Sequence, residues 1–157
     1  MNIKRLLSEG FPQDLLDYLN DHMTRYLETD GEDGYLWDST PTGGKGMVTT
    51  LILRTTGRKT GKELALPLIF GEDNGDIIII ASKAGYPQHP AWFLNLQASG
   101  EAEVQIKAER FKVDVRVAES DERTRLWQMM VDIYPPYTSY QEATERQIPV
   151  VVLTKKQ

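Results

Sequence analysis

Six runs rich in β-branched and aliphatic residues constrain this chain most: MVTTLILR (47–54), ELALPLIFG (63–71), DIIIIAS (76–82), EAEVQI (101–106), RFKVDVRVA (110–118) and IPVVVLT (148–154). Each has strand length and is bounded by turn residues. The connectors EDNG (72–75) and KAE (107–109) are short enough for hairpins, so much of the sheet should be antiparallel. RFKVDVRV alternates apolar with polar and predicts one wet face, whereas DIIIIA does not alternate and predicts burial on both faces. Between the strands, HPAWFLNLQA predicts a short helix opened by Pro90, and DERTRLWQMMVDIY a helix stopped by Pro135 and Pro136. YTSYQEATER predicts a further short helix. The fold class is therefore α+β: a small, mostly antiparallel, partly closed β-barrel of about six strands over 47–154, with helices across its openings.

Ahead of the barrel, Leu15, Leu16, Leu19, Met23, Tyr26 and Leu27 recur at helical spacing from Phe11 to Glu28, entered through Pro12. A core-facing amphipathic helix is predicted, with Asp14, Asp17, Asp21 and Glu28 on its outer face. That acidic face would be repelled by anionic lipid, so no stable membrane association is expected. TDGEDGYLWDSTPTGGKG (29–46) reads as a loop. At 157 residues the chain suits one domain, 1–157, with no repeat or linker. It lacks cysteine, an apolar run of spanning length and a secretory signal, which fits a cytoplasmic protein. With 18 basic against 23 acidic residues, a broad nucleic-acid surface is not expected.

Against that acidic balance, LRTTGRKTGKE (53–63) gathers Arg54, Arg58, Lys59 and Lys62 within nine residues. A turn carrying Gly57 and Gly61 can aim successive N–H groups at one anion, with the cations as charge-assisted donors. A solvated hairpin turn is the alternative. The spacing is not that of a P-loop. In ASKAGYPQHPAWFLNL (81–96), a buried strand ends beside a helix N-terminus, offering donors to a planar polar ligand and apolar walls from Trp92 and Phe93. Those aromatics could equally plug a barrel end. In YPPYTSYQ, Tyr134, Tyr137 and Tyr140 fall three apart and would share a face if helical, lining a pocket or packing as core. His22 and His89 lie in separate segments, so no histidine-based metal site is expected. Neither a nucleophile elbow nor a dinucleotide fingerprint is present, so any difficult chemistry would belong to a cofactor.

From His22 to Thr154 the chain resembles the deazaflavin (coenzyme F-420)-dependent nitroreductases, which are split β-barrel enzymes. The resemblance rests on TTGRKTG, ASKAGYPQHPAWFLNL, YPPYTSYQ and RQIPVVVL in that order. It implies that Arg58, Lys59 and Thr60 meet the coenzyme's phosphate and oligoglutamate tail. It places Leu64, Ala65, Leu66, Pro67, Leu68 and Ile69, together with Ile80, Ala81, Ser82 and Lys83, beside the deazaflavin and ribityl chain. Ala91, Trp92, Phe93, Leu94 and Asn95 would cover the same ligand from the helix side. Ser82, Tyr134, Tyr137 and Tyr140 would line the acceptor side of the ring, Tyr137 touching both molecules. Two departures stand out: Ala84 occupies a position where the family often has glycine, and ASGEAEV replaces a more usual Asn-Pro turn.

The implied activity is hydride transfer from reduced F-420 to an electron-poor small molecule such as a quinone, activated olefin or nitro compound. An FMN-dependent split-barrel reductase and a non-catalytic deazaflavin-binding module are the alternatives. A homodimer is compatible with either activity.

Overall fold

The structure, a computed structural model, describes residues 13–157. Each of the six predicted runs forms a strand. Met47–Thr56 (β2) makes a hairpin with Glu63–Ile69 (β3), in register from Thr50 opposite Ile69 to Thr56 opposite Glu63. Gly71–Asp73 (β4) and Asp76–Ile80 (β5) form the EDNG hairpin, and Glu101–Ile106 (β6) and Glu109–Val117 (β7) form the KAE hairpin. Val150–Lys155 (β8) lies between β7 and β5. With a short edge strand Leu36–Asp38 (β1) included, all pairings are antiparallel, in the order β1-β2-β6-β7-β8-β5-β4, with β3 returning to β2.

Eight strand segments replace the expected six, for two reasons. The run 63–71 is split at Phe70: its N–H still bonds Thr49 O at 3.1 Å, but Gly71 already pairs with β5. Leu36–Asp38 (β1), inside the stretch read as loop, adds a three-residue edge to β2. The bend at Phe70 curls the sheet, because one continuous segment pairs first with β2 and then with β5.

Ile77 and Ile79 point into the barrel with Val151 and Leu153, while Ile78 and Ile80 point outward with Val150 and Val152. Both faces of β5 are thus dry, which explains its continuous apolar run. The outer layer packs beneath helices Ser120–Ile133 and Pro136–Glu142, separated by the predicted proline break. Gly71 permits this approach, since a Cβ there would lie 2.9 Å from Met130 Sδ.

The N-terminal helix Gln13–Glu28 (α1) buries Met23 and Tyr26 against Ile52 and Ala65 and exposes Asp14, Asp17, Asp21 and Glu28. The predicted entry at Phe11 and Pro12, and the side chains of Leu15 and Leu16, lie outside what is described. Ala91–Ser99 is α2; the two helices after β7 are α3 and α4. No helix among the described residues is long and apolar enough to cross a membrane.

Candidate active site

β3 and β5 are not paired with one another before Gly71, and the gap between them is a cleft. One part of it is lined by Leu66, Pro67, Leu68, Ile80, Ser82, Lys83 and Trp92. It continues into a second part, about 630 Å³ with its mouth, walled in part by Ile69, Tyr134, Tyr137 and Tyr140. Tyr18, Leu19, His22, Trp37 and Thr50 complete its lining, with the Trp37 ring 6.3 Å from that of Tyr134. Leu19, Pro67, Leu68, Ile80 and Ser82 border both parts, so Ser82 stands at their junction.

The tyrosines do not share one helix face, contrary to expectation. Tyr134 ends α3 with extended φ, and only Tyr137 and Tyr140 belong to α4, because two consecutive prolines break the helix between them. Their rings nevertheless cluster, with centroids 5.0 to 6.2 Å apart. The Tyr134 hydroxyl donates to Thr42 Oγ1 at 2.7 Å and lies 3.0 Å from that of Tyr140. The Tyr137 hydroxyl has no hydrogen-bond partner among the described residues, although the residue is 4% exposed and lines the cleft. Burial, reinforced by the neighbouring tyrosines, raises the pKa of Tyr137, and burial also raises that of Tyr140. Both therefore stay protonated donors at physiological pH.

Across the cleft, His22 Nε2–H donates to Gly34 O at 2.7 Å, and burial lowers its pKa, so the imidazole is neutral. Trp37 Nε1–H donates to Tyr18 OH at 2.6 Å and joins α1 to β1 over the rim. Ser39–Thr42 holds Tyr134 from the same side.

The cationic turn sits at the opposite end of β3. Arg54 is neutralised by Glu63 at 3.2 Å, but among the described residues no carboxylate pairs with Arg58, Lys59 or Lys62. The turn is closed by Gly57 N–H to Lys62 O and Gly61 N–H to Gly57 O, and Thr60 Oγ1 accepts the Lys62 N–H. Asn95, 1% exposed on α2, secures it: Oδ1 accepts from both the N–H and Nη1 of Arg58 at 3.1 Å, and Nδ2 donates to Thr55 Oγ1 at 3.1 Å. An unpaired, pre-shaped cationic turn thus lies roughly 20 Å along β3 from the cleft centre, six residues at strand rise.

A family model described as F420H(2)-dependent quinone reductase matches residues 19–155. The chain belongs to this family. An F420H(2)-dependent quinone reductase of Mycobacterium tuberculosis is 33% identical over 159 residues, covering 99% of this chain and 100% of that protein. A solved F420-H2 dependent reductase, FDR-A, is 38% identical at a TM-score of 0.61, covering 66% of this chain and 92% of its own. A solved domain-swapped dimer is 34% identical at a TM-score of 0.64, covering 87% and 97%.

Within this member of the F420H(2)-dependent quinone reductase family, the predicted residues divide into three groups. Leu66, Pro67, Leu68, Ile69, Ile80, Ser82, Lys83, Trp92 and the three tyrosines converge on the cleft. Arg58, Lys59 and Thr60 form the exposed turn. Leu64, Ala81, Ala91 and Phe93 pack in the barrel core with Leu94 beside them, and Ala65 faces α1. Strand alternation explains Ala65, which points away from Leu64 and Leu66. Asn95 reaches the turn, with its carboxamide engaged by protein partners rather than open to the cleft. Tyr18, Leu19, His22, Trp37 and Thr50 escaped sequence reasoning. Helical spacing shows which face of α1 is buried, not what it is buried against. Among the described residues no cluster of three or more histidine, aspartate or glutamate side chains could hold a metal ion.

Proposed function

We propose that the cleft binds reduced F-420 with its ring system between β3 and Ile80–Lys83, its tail reaching the Arg58–Lys62 turn, and the electron-poor acceptor under the tyrosines. The observation that carries this reading is the continuity of a mostly apolar slot with a tyrosine-walled chamber, while three cations without a carboxylate partner sit in the turn that opens the same strand. The residues present fit such a coenzyme. The slot offers a planar ring two apolar walls, and the turn offers a polyanionic tail fixed N–H groups and cations. Bound in reduced form, F-420 supplies a hydride from C5.

The chain's own work is to hold donor and acceptor in contact, exclude water and stabilise the charge that arrives on the acceptor. Leu66, Leu68, Ile80 and Trp92 supply apolar walls for the ring. Ser82, bordering both parts, and Tyr137, with its hydroxyl uncommitted, are the donors available to an acceptor oxygen. A quinone becomes a hydroquinone monoanion as hydride arrives and then takes one proton from solvent. The raised pKa of Tyr137 makes it a hydrogen-bond donor to that anion rather than a ready proton source. Quinones suit the chamber best, since a flat apolar ring with polar oxygens matches aromatic walls carrying hydroxyls; activated olefins and nitro compounds present similar oxygens.

Equilibrium titration with F-420 and with FMN tests the reading. F-420 should bind more tightly, and its binding should weaken as salt rises, since exposed ion pairs are screened. Replacing Arg58 and Lys59 together by alanine should raise its Kd roughly tenfold or more, about 1.4 kcal/mol. Preference for FMN would overturn the coenzyme assignment, and salt-insensitive binding unchanged in the double variant would leave the turn as a solvated hairpin.

A further inference from the structure

Three successive residues beside the slot, Lys83, Ala84 and Gly85, have φ values of 45°, 51° and 80°. Residues carrying a Cβ are disfavoured in this left-handed region, so surrounding contacts must hold the turn. Within the turn, Gly85 N–H donates to Ser82 O and Tyr86 N–H to Lys83 O. Arg146, half-buried just beyond α4, grips the turn from outside. Its Nε donates to Tyr86 O at 2.9 Å, Nη2 to Ser82 O at 2.7 Å, and Nη1 to Ala81 O at 3.3 Å. Nη1 also lies 3.2 Å from His89 Nδ1, which accepts. Among the described residues no carboxylate pairs with this guanidinium. A planar fork with fixed donor directions can hold three carbonyls of one short loop at once, which a lysine ammonium cannot reproduce. The loop's other side is seated on α4, because a Cβ on Gly85 would lie 2.6 Å from Tyr140 O.

We propose that Arg146 is a positioning residue for the coenzyme. By gripping the carbonyls of Ala81, Ser82 and Tyr86 it keeps the left-handed turn presenting Ser82 and Lys83 to the slot, and it ties that wall to the tyrosine-bearing helix. This assignment rests on reading the slot as the coenzyme site.

Arg146→Ala and Arg146→Lys test it in two ways. In ligand-free protein, amide hydrogen exchange at Gly85 and Tyr86 should accelerate at least tenfold or so in Arg146→Ala, while amides of β5 and β8 keep their protection. Affinity for F-420 should fall roughly tenfold or more in both variants, and millimolar guanidinium should restore much of it in Arg146→Ala but not in Arg146→Lys. Unchanged affinity in both variants, or faster exchange spread evenly over β5 and β8, would overturn the assignment. If Arg146→Ala does not fold, Arg146→Lys carries the same exchange and affinity measurements. Failure of the wild-type protein to bind F-420, with loop exchange responding as expected, would instead overturn the coenzyme reading of the slot and leave Arg146 as the brace of its turn.

Discussion

Tyr137→Phe and Tyr134→Phe remove the same atom from adjacent rings and should do opposite things. The Tyr134 hydroxyl is bonded to Thr42 Oγ1 and to the Tyr140 hydroxyl, at 2.7 and 3.0 Å. Losing two such bonds, at about 1 kcal/mol net each, should cost about 1–2 kcal/mol. For a chain of this size that lowers Tm by roughly 2–8 °C. The Tyr137 hydroxyl has no protein partner among the described residues and borders the cleft, so its removal breaks no protein hydrogen bond and should leave Tm within about 1 °C of wild type. If that hydroxyl donates to the acceptor oxygen in the transition state, turnover in Tyr137→Phe should fall roughly ten- to a thousandfold with F-420 affinity unchanged. The loss should vary between a quinone and a nitro compound, whose oxygens sit differently. Thermal melts by circular dichroism, coenzyme titration and single-turnover oxidation of the reduced coenzyme measure all three quantities. A Tyr137→Phe protein that melts like Tyr134→Phe, or turns over normally with every active acceptor, would refute the division of roles.

Two further outcomes follow from buried polar groups. Asn95→Ala strips the acceptor from Arg58 and the donor from Thr55, three hydrogen bonds in all, and should cost about 2–4 kcal/mol; F-420 affinity should fall with it, and normal affinity in the folded variant would dissociate Asn95 from the turn's function. His22 and His89 both have pKa values lowered by burial, His89 also by Arg146, so the folded state binds their protons less readily than the unfolded state does. Their contribution to stability is therefore full well above the ordinary histidine pKa of about 6.5 and is lost as pH falls below it; a Tm that stays flat as pH is lowered through that value would contradict it.

The strands were legible because hydrophobic period reports directly on burial. Ile77–Ile80 lack alternation, and both of their faces are dry. RFKVDVRV alternates, and Val113 is buried while Lys112 and Asp114 are exposed. β1 was missed because three residues in a glycine-rich stretch carry no measurable period. Spacing by three puts Tyr134 on one face with Tyr137 and Tyr140 only in a continuous helix, and the Pro135–Pro136 break, which the sequence also displays, ends α3 before that. Trp92, Lys83 and the tyrosines could be nominated from motif and chemistry, whereas His22, Trp37 and Thr50 reach the cleft only through packing of α1 and β1 on the barrel. Arg146 was hidden for a different reason: an arginine in a polar segment reads as solvated until its carbonyl partners, sixty or more residues earlier, are brought beside it.

The existence of the cleft follows from one strand changing partners. Were β3 paired to β5 along its length, the barrel would close and the slot would vanish. Pro67, in the middle of β3, lacks an N–H and is tolerated only where a strand edge needs no donor, so it marks the side left open. Four residues later Gly71 is already paired with β5, and its missing side chain lets α3 come in beneath the bend. Between those points Leu66–Ile69 and Ile80–Ser82 face one another across unpaired backbone, which suits a flat ligand. The same strand begins at the cationic turn, so the segment that opens the slot also sets the distance from its chemistry to its charge. A ligand long enough to use both ends gains affinity from a tail that takes no part in the reaction. Lengthening β3 by two residues would preserve its face alternation yet shift the turn by about 6–7 Å, which is why insertions there should be tolerated far less well than in the loop before β2.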